Sequence, residues 1–227
     1  MGLSIVVTNK AIPTRPAGYW VAGSWSAGKI TEKIYFTTGI LFSLDAIDPS
    51  IILKGSSGGN SVSAGYAVGG IDGLDVSKRT AYRIKFSTDV ITNLGNKLGT
   101  ARNKICSVNS SDNLYAMGGV SGASEGIVHN VIDKMLFTTE IASTISATIL
   151  KFAVTKGGNT PTVRYFGGGR NIGELVASPE KIVFSTDTVS SHSSANLSSP
   201  SSAPVVCNAS SAAYICGGFK ASPSEQI

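Results

Sequence analysis

Short apolar runs alternate with polar stretches rich in Gly, Ser, Thr, Asn and Asp along the whole chain. No segment carries the three-to-four-residue apolar spacing of a long amphipathic helix; the short runs, enriched in β-branched and aromatic residues, predict strands. The pattern also repeats. GYWVAG (18–23), GYAVGG (65–70), LYAMGG (114–119), RYFGGG (164–169) and AYICGG (213–218) are variants of one motif. Their tyrosines, Tyr19, Tyr66, Tyr115, Tyr165 and Tyr214, are separated by 47, 49, 50 and 49 residues. A second motif follows each of the first four: KIYFTTG (33–39), RIKFSTD (83–89), KMLFTTE (134–140) and KIVFSTD (181–187), with Phe36, Phe86, Phe137 and Phe184 in register. Two motifs held in one period define a tandem repeat. The paired glycines closing the first motif suit positive φ or close backbone approach. The Thr-Asp or Thr-Glu closing the second suits a turn in which the side chain bonds its own backbone.

A third apolar segment precedes each tyrosine, as in IVVT (5–8), ICSV (105–108), FAVT (152–155) and PVVC (204–207). A weaker fourth follows the phenylalanine motif, as in SIIL (50–53) and ATIL (147–150). Four short strands in each unit of about 50 residues predict an all-β fold of propeller blades. The apolar strand ending in Gly-Gly, followed by an aromatic strand, is similar to the kelch repeat of β-propellers. The wording Tyr-x-x-Gly-Gly, then Lys-Ile-x-Phe-Ser-Thr-Asp, resembles the kelch-like tandem repeats of phage tail and other surface proteins. The resemblance spans essentially the whole chain. The sequence departs from ordinary kelch units in lacking a tryptophan after the second aromatic strand, and Ala22-Gly23 replaces the first double glycine.

The closing KASPSEQI parallels VASPEKIV of the fourth repeat, and IVVTNKAIPTRPAGYW parallels FAVTKGGNTPTVRYF. The expectation is one domain over residues 1–227, with units at about 1–54, 55–101, 102–150 and 151–200 and a partial unit at 201–227. A five-bladed ring with a short last blade is preferred to a fragment of a longer polypeptide or a blade completed by another subunit.

Composition narrows the function. Only 15% of residues are charged, 42% are hydrophobic, and glycine is frequent at 26. The net charge of +5 comes from scattered basic residues such as Lys10, Arg15, Lys54, Arg102, Lys156 and Arg170. They form no basic stripe interleaved with aromatics, so nucleic acid is not an expected partner. No apolar run reaches the ~18 residues of a spanning helix, and MGLSIVVTNK has neither a signal-peptide pattern nor the Ser or Thr of a myristoylation motif. The three cysteines, Cys106, Cys207 and Cys216, sit in strand-like apolar settings. They read as small buried hydrophobes, with a hairpin disulfide between Cys207 and Cys216 left open.

Candidate chemistry is sparse. AGSWSAGKIT (22–31) carries the Gly-x4-Gly-Lys core of a phosphate loop. Ile30 replaces its magnesium-binding hydroxyl, however, and a strand rather than a helix is expected next. His129 and His192 lie in different repeats with no partner at ligand or relay spacing. Some kelch propellers are copper oxidases, but that chemistry needs several His and Tyr ligands, and this chain has two histidines. Asp89, Glu140 and Asp187 share one repeat position and read as turn caps, spaced too far apart for a paired-carboxylate mechanism at ~5–10 Å. Ile71-Asp72-Gly73-Leu74-Asp75 lacks the alternating ligands and terminal Glu of a calcium loop. TVSSHSSANLSSPSSAP (188–204) reads as the outer strand and connection of the fourth unit rather than a linker. Trp20 is expected to pack between blades, while Trp25, in a loop, is the candidate contact for a partner or glycan.

The sequence reading is therefore a non-enzymatic propeller with no catalytic, cofactor or metal residues. The resemblance implies a structural or binding component of a virus particle: a phage tail, fibre or decoration protein within an oligomeric assembly. Its expected partners are other virion or surface proteins and host-surface glycan. A secreted or cell-surface lectin-like binder is the alternative.

Overall fold

In the computed structural model the residues described are 17–21, 31–44, 55–72, 74–122, 126–149, 156–159, 162–171, 174–201, 205–208 and 213–216. The strands group into one sheet after another along the chain. The first sheet holds β1 (Ala17–Val21), β2 (Thr31–Tyr35) and β3 (Leu41–Leu44). The second holds β4 (Ser57–Asn60), β5 (Ala64–Val68), β6 (Thr80–Lys85) and β7 (Val90–Asn96). In the third, β8 (Cys106–Asn109) and β9 (Asn113–Met117) precede a small ribbon of β10 (Val120–Ser121) and β11 (Ile127–Val128). The sheet resumes with β12 (Val131–Leu136) and β13 (Ala142–Thr148). The fourth repeats this plan with β14 (Lys156–Asn159), β15 (Val163–Gly167), the ribbon β16 (Arg170–Asn171) and β17 (Glu174–Leu175), then β18 (Glu180–Val183) and β19 (Thr188–Ser191). A last pair is β20 (Val205–Asn208) and β21 (Ala213–Cys216).

Every strand pair is antiparallel, each sheet is a meander, and no sheet closes into a barrel. The fold is thus all-β. The only helical turn among the described residues is a short 3₁₀ turn at Ser193–Ala195.

In the second, third and fourth sheets the two motifs become the middle strands, where both ladder edges are paired. The outer strands correct the expectation. They begin directly after the turn, at Leu41, Val90, Ala142 and Thr188. ATIL (147–150) overlaps only the last two residues of β13, and SIIL (50–53) lies outside the described residues. The physical reason is the turn itself: Gly39, Asp89, Glu140 and Asp187 take positive φ, between +52° and +66°, and reverse the chain at once. The outer strand then lies half in solvent and needs no apolar run; β13 reads ASTISAT, with its residues alternating between half-buried and exposed over most of its length. FAVT (152–155) and IVVT (5–8) also fall outside the described residues, and the strand before Tyr165 is KGGN. The serine-rich stretch contributes β19 at the edge of the fourth sheet.

The core lies between consecutive sheets. Tyr66, Val68 and Leu98 of the second unit pack with Ile105, Leu114, Ala116 and Met135 of the third. On the other side of the third sheet, Val108, Tyr115, Met117, Ile132 and Ile149 pack with Phe166 and Ile182 of the fourth. The third sheet is therefore buried on both faces, and after Asn113 β9 reads as the continuous apolar run LYAM.

Candidate functional site

The most elaborate side-chain chemistry lies at the junctions between sheets. Strand register sets four of the five repeat tyrosines directly opposite a basic residue: Tyr19 opposite Lys33, Tyr66 opposite Arg83, Tyr115 opposite Lys134 and Tyr165 opposite Lys181. The first three pairs reach across to the carboxylate that closes the next repeat's second motif. The Tyr19 hydroxyl donates to Asp89 at 2.7 Å, and Lys33 Nζ donates to both Asp89 oxygens at 2.9 Å. Tyr66 donates to Glu140 at 3.3 Å, joined by Arg83 at 2.8 Å. Tyr115 donates to Asp187 at 2.8 Å, joined by Lys134 at 2.7 Å. The tyrosine rings also stack on the next repeat's phenylalanine, Tyr19 on Phe86, Tyr66 on Phe137 and Tyr115 on Phe184, with centroids 5.1–5.2 Å apart. Lys33 and Lys134 lie over the tyrosine rings as well.

The reading of Asp89, Glu140 and Asp187 as turn caps is corrected here. Their carboxylates bind the preceding sheet, while threonines serve the turns: Thr38 accepts from the Ile40 amide and Thr139 from the Ile141 amide. Burial and the bond to Asp89 push the Tyr19 phenol up to about 12. Burial and Asp187 raise Tyr115 further, and burial with the Glu140 charge raises Tyr66. For Lys33, burial opposes the charge, but its bonds to Asp89, Tyr19 and Tyr35 outweigh it and hold the ammonium on.

A second buried polar group ties the third unit together. The fully buried Arg102 guanidinium is ion-paired with Asp133, and donates to the Gly118 carbonyl at 2.5 Å and the Val131 carbonyl at 3.1 Å. Thr144 donates to the other Asp133 oxygen at 2.5 Å. Its neighbour Asn103 links two loops, donating to Ser77 at 2.9 Å and to the Gly122 carbonyl at 3.0 Å.

Those loops are the connections between the two middle strands, and they bring the tips of adjacent units together. Leu74 and Ile127 stand on them 85% and 69% exposed. Trp25, the sequence candidate for a contact, belongs to the equivalent 22–30 connection and lies outside the described residues, as does the Trp20 side chain. The phosphate-loop glycines and Lys29 lie outside them too; the segment that follows is strand β2. Asp72, from the calcium-like loop, accepts from the amides of Leu74 at 3.0 Å and Val76 at 2.9 Å and pairs with Lys78 at 2.5 Å. Lys78 and those amides hold its carboxyl below the usual carboxylate range.

The histidines stay apart in the chain, each with its own neighbour. His192 packs against the Tyr165 ring. His129 does have a hydroxyl partner, Ser121, at 3.0 Å, which its sequence spacing did not suggest. Burial and the Arg102 charge both lower the His129 pKa, which favours the neutral imidazole. Among the described residues no group of three His, Cys, Asp or Glu is placed to hold a metal ion. Cys106 is buried in β8. Register places Cys207 opposite Tyr214 and Cys216 opposite Val205, so the two cysteines are diagonal rather than directly opposed.

No family model matches the chain, and no curated protein matches it.

Proposed function

We propose that this chain is a kelch-like β-propeller module, each sheet a blade, that serves without catalysis as a structural and binding component of a virus particle. One observation carries the reading. Recurring ionisable groups join consecutive sheets at three junctions, Tyr19–Lys33–Asp89, Tyr66–Arg83–Glu140 and Tyr115–Lys134–Asp187. What varies between units is the loop between the middle strands, with apolar tips such as Leu74 and Ile127. Constant junctions and variable loops suit a rigid scaffold that presents binding surfaces. The placement on a particle rests on the resemblance of the repeat to those of phage tail and surface proteins.

Density-gradient purification of particles from an infected culture, followed by mass spectrometry, tests the placement. The protein should band with intact particles in several copies each. Recovery only as free protein in the host cytosol would contradict it.

A further inference from the structure

The ribbon of β10 and β11 is held by two register pairs, Val120 with Val128 and Ser121 with Ile127. Its halves are fastened unequally. Val120 is buried and exchanges both backbone bonds with Asn103, at 2.8 and 2.9 Å. At the end of β11 the fastening is His129: its amide donates to the Gly119 carbonyl at 2.9 Å, and its Nε2 meets the Ser121 hydroxyl at 3.0 Å. The neighbouring peptides hold Arg102, whose Nη1 donates to the carbonyls of Gly118 and Val131. A titratable ring and a fixed cation are thus anchored on adjacent peptide units. We propose that the ribbon is a pH-sensitive latch: protonation of His129 beside the immobile Arg102 guanidinium releases β11 from β10.

The guanidinium cannot retreat or discharge. It is fully buried, and arginine stays charged at any pH the fold meets. Its Nη2 end is paired with Asp133, while the Nη1 end bonds the peptides that flank His129. A proton on the half-buried imidazole therefore brings like charges together where water screens them poorly. Ser121 does not prevent this, because a hydroxyl can bond either form of the ring; the switch lies in the charge. Among the described residues, Arg102 and, behind it, Asp133 are the charged groups that bear on His129, and Ser121 is the polar group facing it from β10. In the closed ribbon, burial and Arg102 hold the imidazole below its ordinary value of 6.5, which it regains in water. The closed form is fully favoured above that value and loses ground as pH falls below it. A ribbon of two pairs is marginal by itself, so a small shift opens it. β10 stays on Asn103, and β11 carries the exposed Ile127 away with it. The inference concerns the shape of one loop and stands independently of the particle placement.

Amide hydrogen exchange of the full chain, followed by NMR at about pH 7.5 and about pH 5 and corrected for the intrinsic rate at each, reads the latch. The protection factor of the His129 amide should fall at least about twofold in acid, while the Val120 amide, bonded to Asn103, keeps its own. His129→Gln, neutral at both pH values, should abolish the fall, and His192→Gln should leave it intact. If His129→Gln itself loosens the ribbon, a side-chain titration of the wild-type chain decides. The Ile127 methyl shift should then follow the His129 ring resonance, with a shared midpoint below 6.5. Equal protection at the two pH values, a fall that persists in His129→Gln, or an Ile127 shift that tracks His192 instead would each overturn the proposal.

Discussion

Replacing Asp133 by alanine is expected to cost about 3–5 kcal/mol of folding stability, the largest loss for any single side chain considered above. The Arg102 guanidinium has no solvent exposure and Asp133 only 3%. Removing the carboxylate leaves a full positive charge held by backbone carbonyls alone, at Gly118, Val131 and Ala116. Thr144 loses its acceptor at the same time. A buried pair is worth far less than the penalty for breaking it, because its Coulomb gain mostly offsets desolvation. The double variant Arg102→Met with Asp133→Leu should therefore recover most of the loss. Urea denaturation followed by circular dichroism measures both. A single-variant loss below about 1 kcal/mol would mean that water reaches Arg102.

The second large effect is at Gly69. It follows the tyrosine strand with φ of +61°, and a Cβ there would lie 2.4 Å from Ile105 Cδ1 and 2.6 Å from the Arg102 carbonyl oxygen. The isoleucine tip can move, but the carbonyl belongs to the chain entering the next sheet and accepts the Gly70 amide at 2.9 Å. Alanine combines left-handed strain with a backbone collision, which predicts a loss of about 2–4 kcal/mol. Gly95 also has positive φ, but a Cβ there meets nothing within 4 Å. Gly95→Ala should thus show the conformational part alone, about 1 kcal/mol. Equal losses at the two sites in a thermal melt would show that the close packing at Gly69 is not what matters.

Much of the fold was legible because it is periodic. In the second, third and fourth sheets the tyrosine and phenylalanine motifs are the middle strands, paired on both edges, and burial demands a consistent apolar pattern there. The outer strands were misplaced because a half-solvated edge strand such as VITNLGN needs no such pattern. The junction chemistry was missed for a different reason. Tyr19 and Asp89, Tyr66 and Glu140, and Tyr115 and Asp187 are 70, 74 and 72 residues apart, and an acid after threonine is locally explained by a turn. Backbone geometry held a clue. The turn's last residue takes positive φ, which glycine meets with least strain, and repeat one does use Gly39. Acids at a position that prefers glycine are kept for something besides the turn. The Arg102–Asp133 pair was unreadable because it involves a basic residue that ARNK presents as an ordinary loop charge. His129 and Ser121, eight residues apart, meet only because β10 and β11 fold back on each other.

The account stands on the three junctions, and the ionisation of their phenols reads them directly. Each junction holds its tyrosine neutral, so its contribution to stability is complete below the ordinary phenol value near 10. It is lost as pH rises through the folded value, about 12 for Tyr19. After a jump to alkaline pH, phenolate absorbance should be followed before the chain unfolds. Of the seven tyrosines, a late-ionising fraction belonging to Tyr19, Tyr66 and Tyr115 should be present. It should vanish when those three are replaced by phenylalanine, which keeps the ring stacking but removes the hydroxyl. Ionisation with no late fraction, or a late fraction unchanged in the triple variant, would contradict the junctions described above.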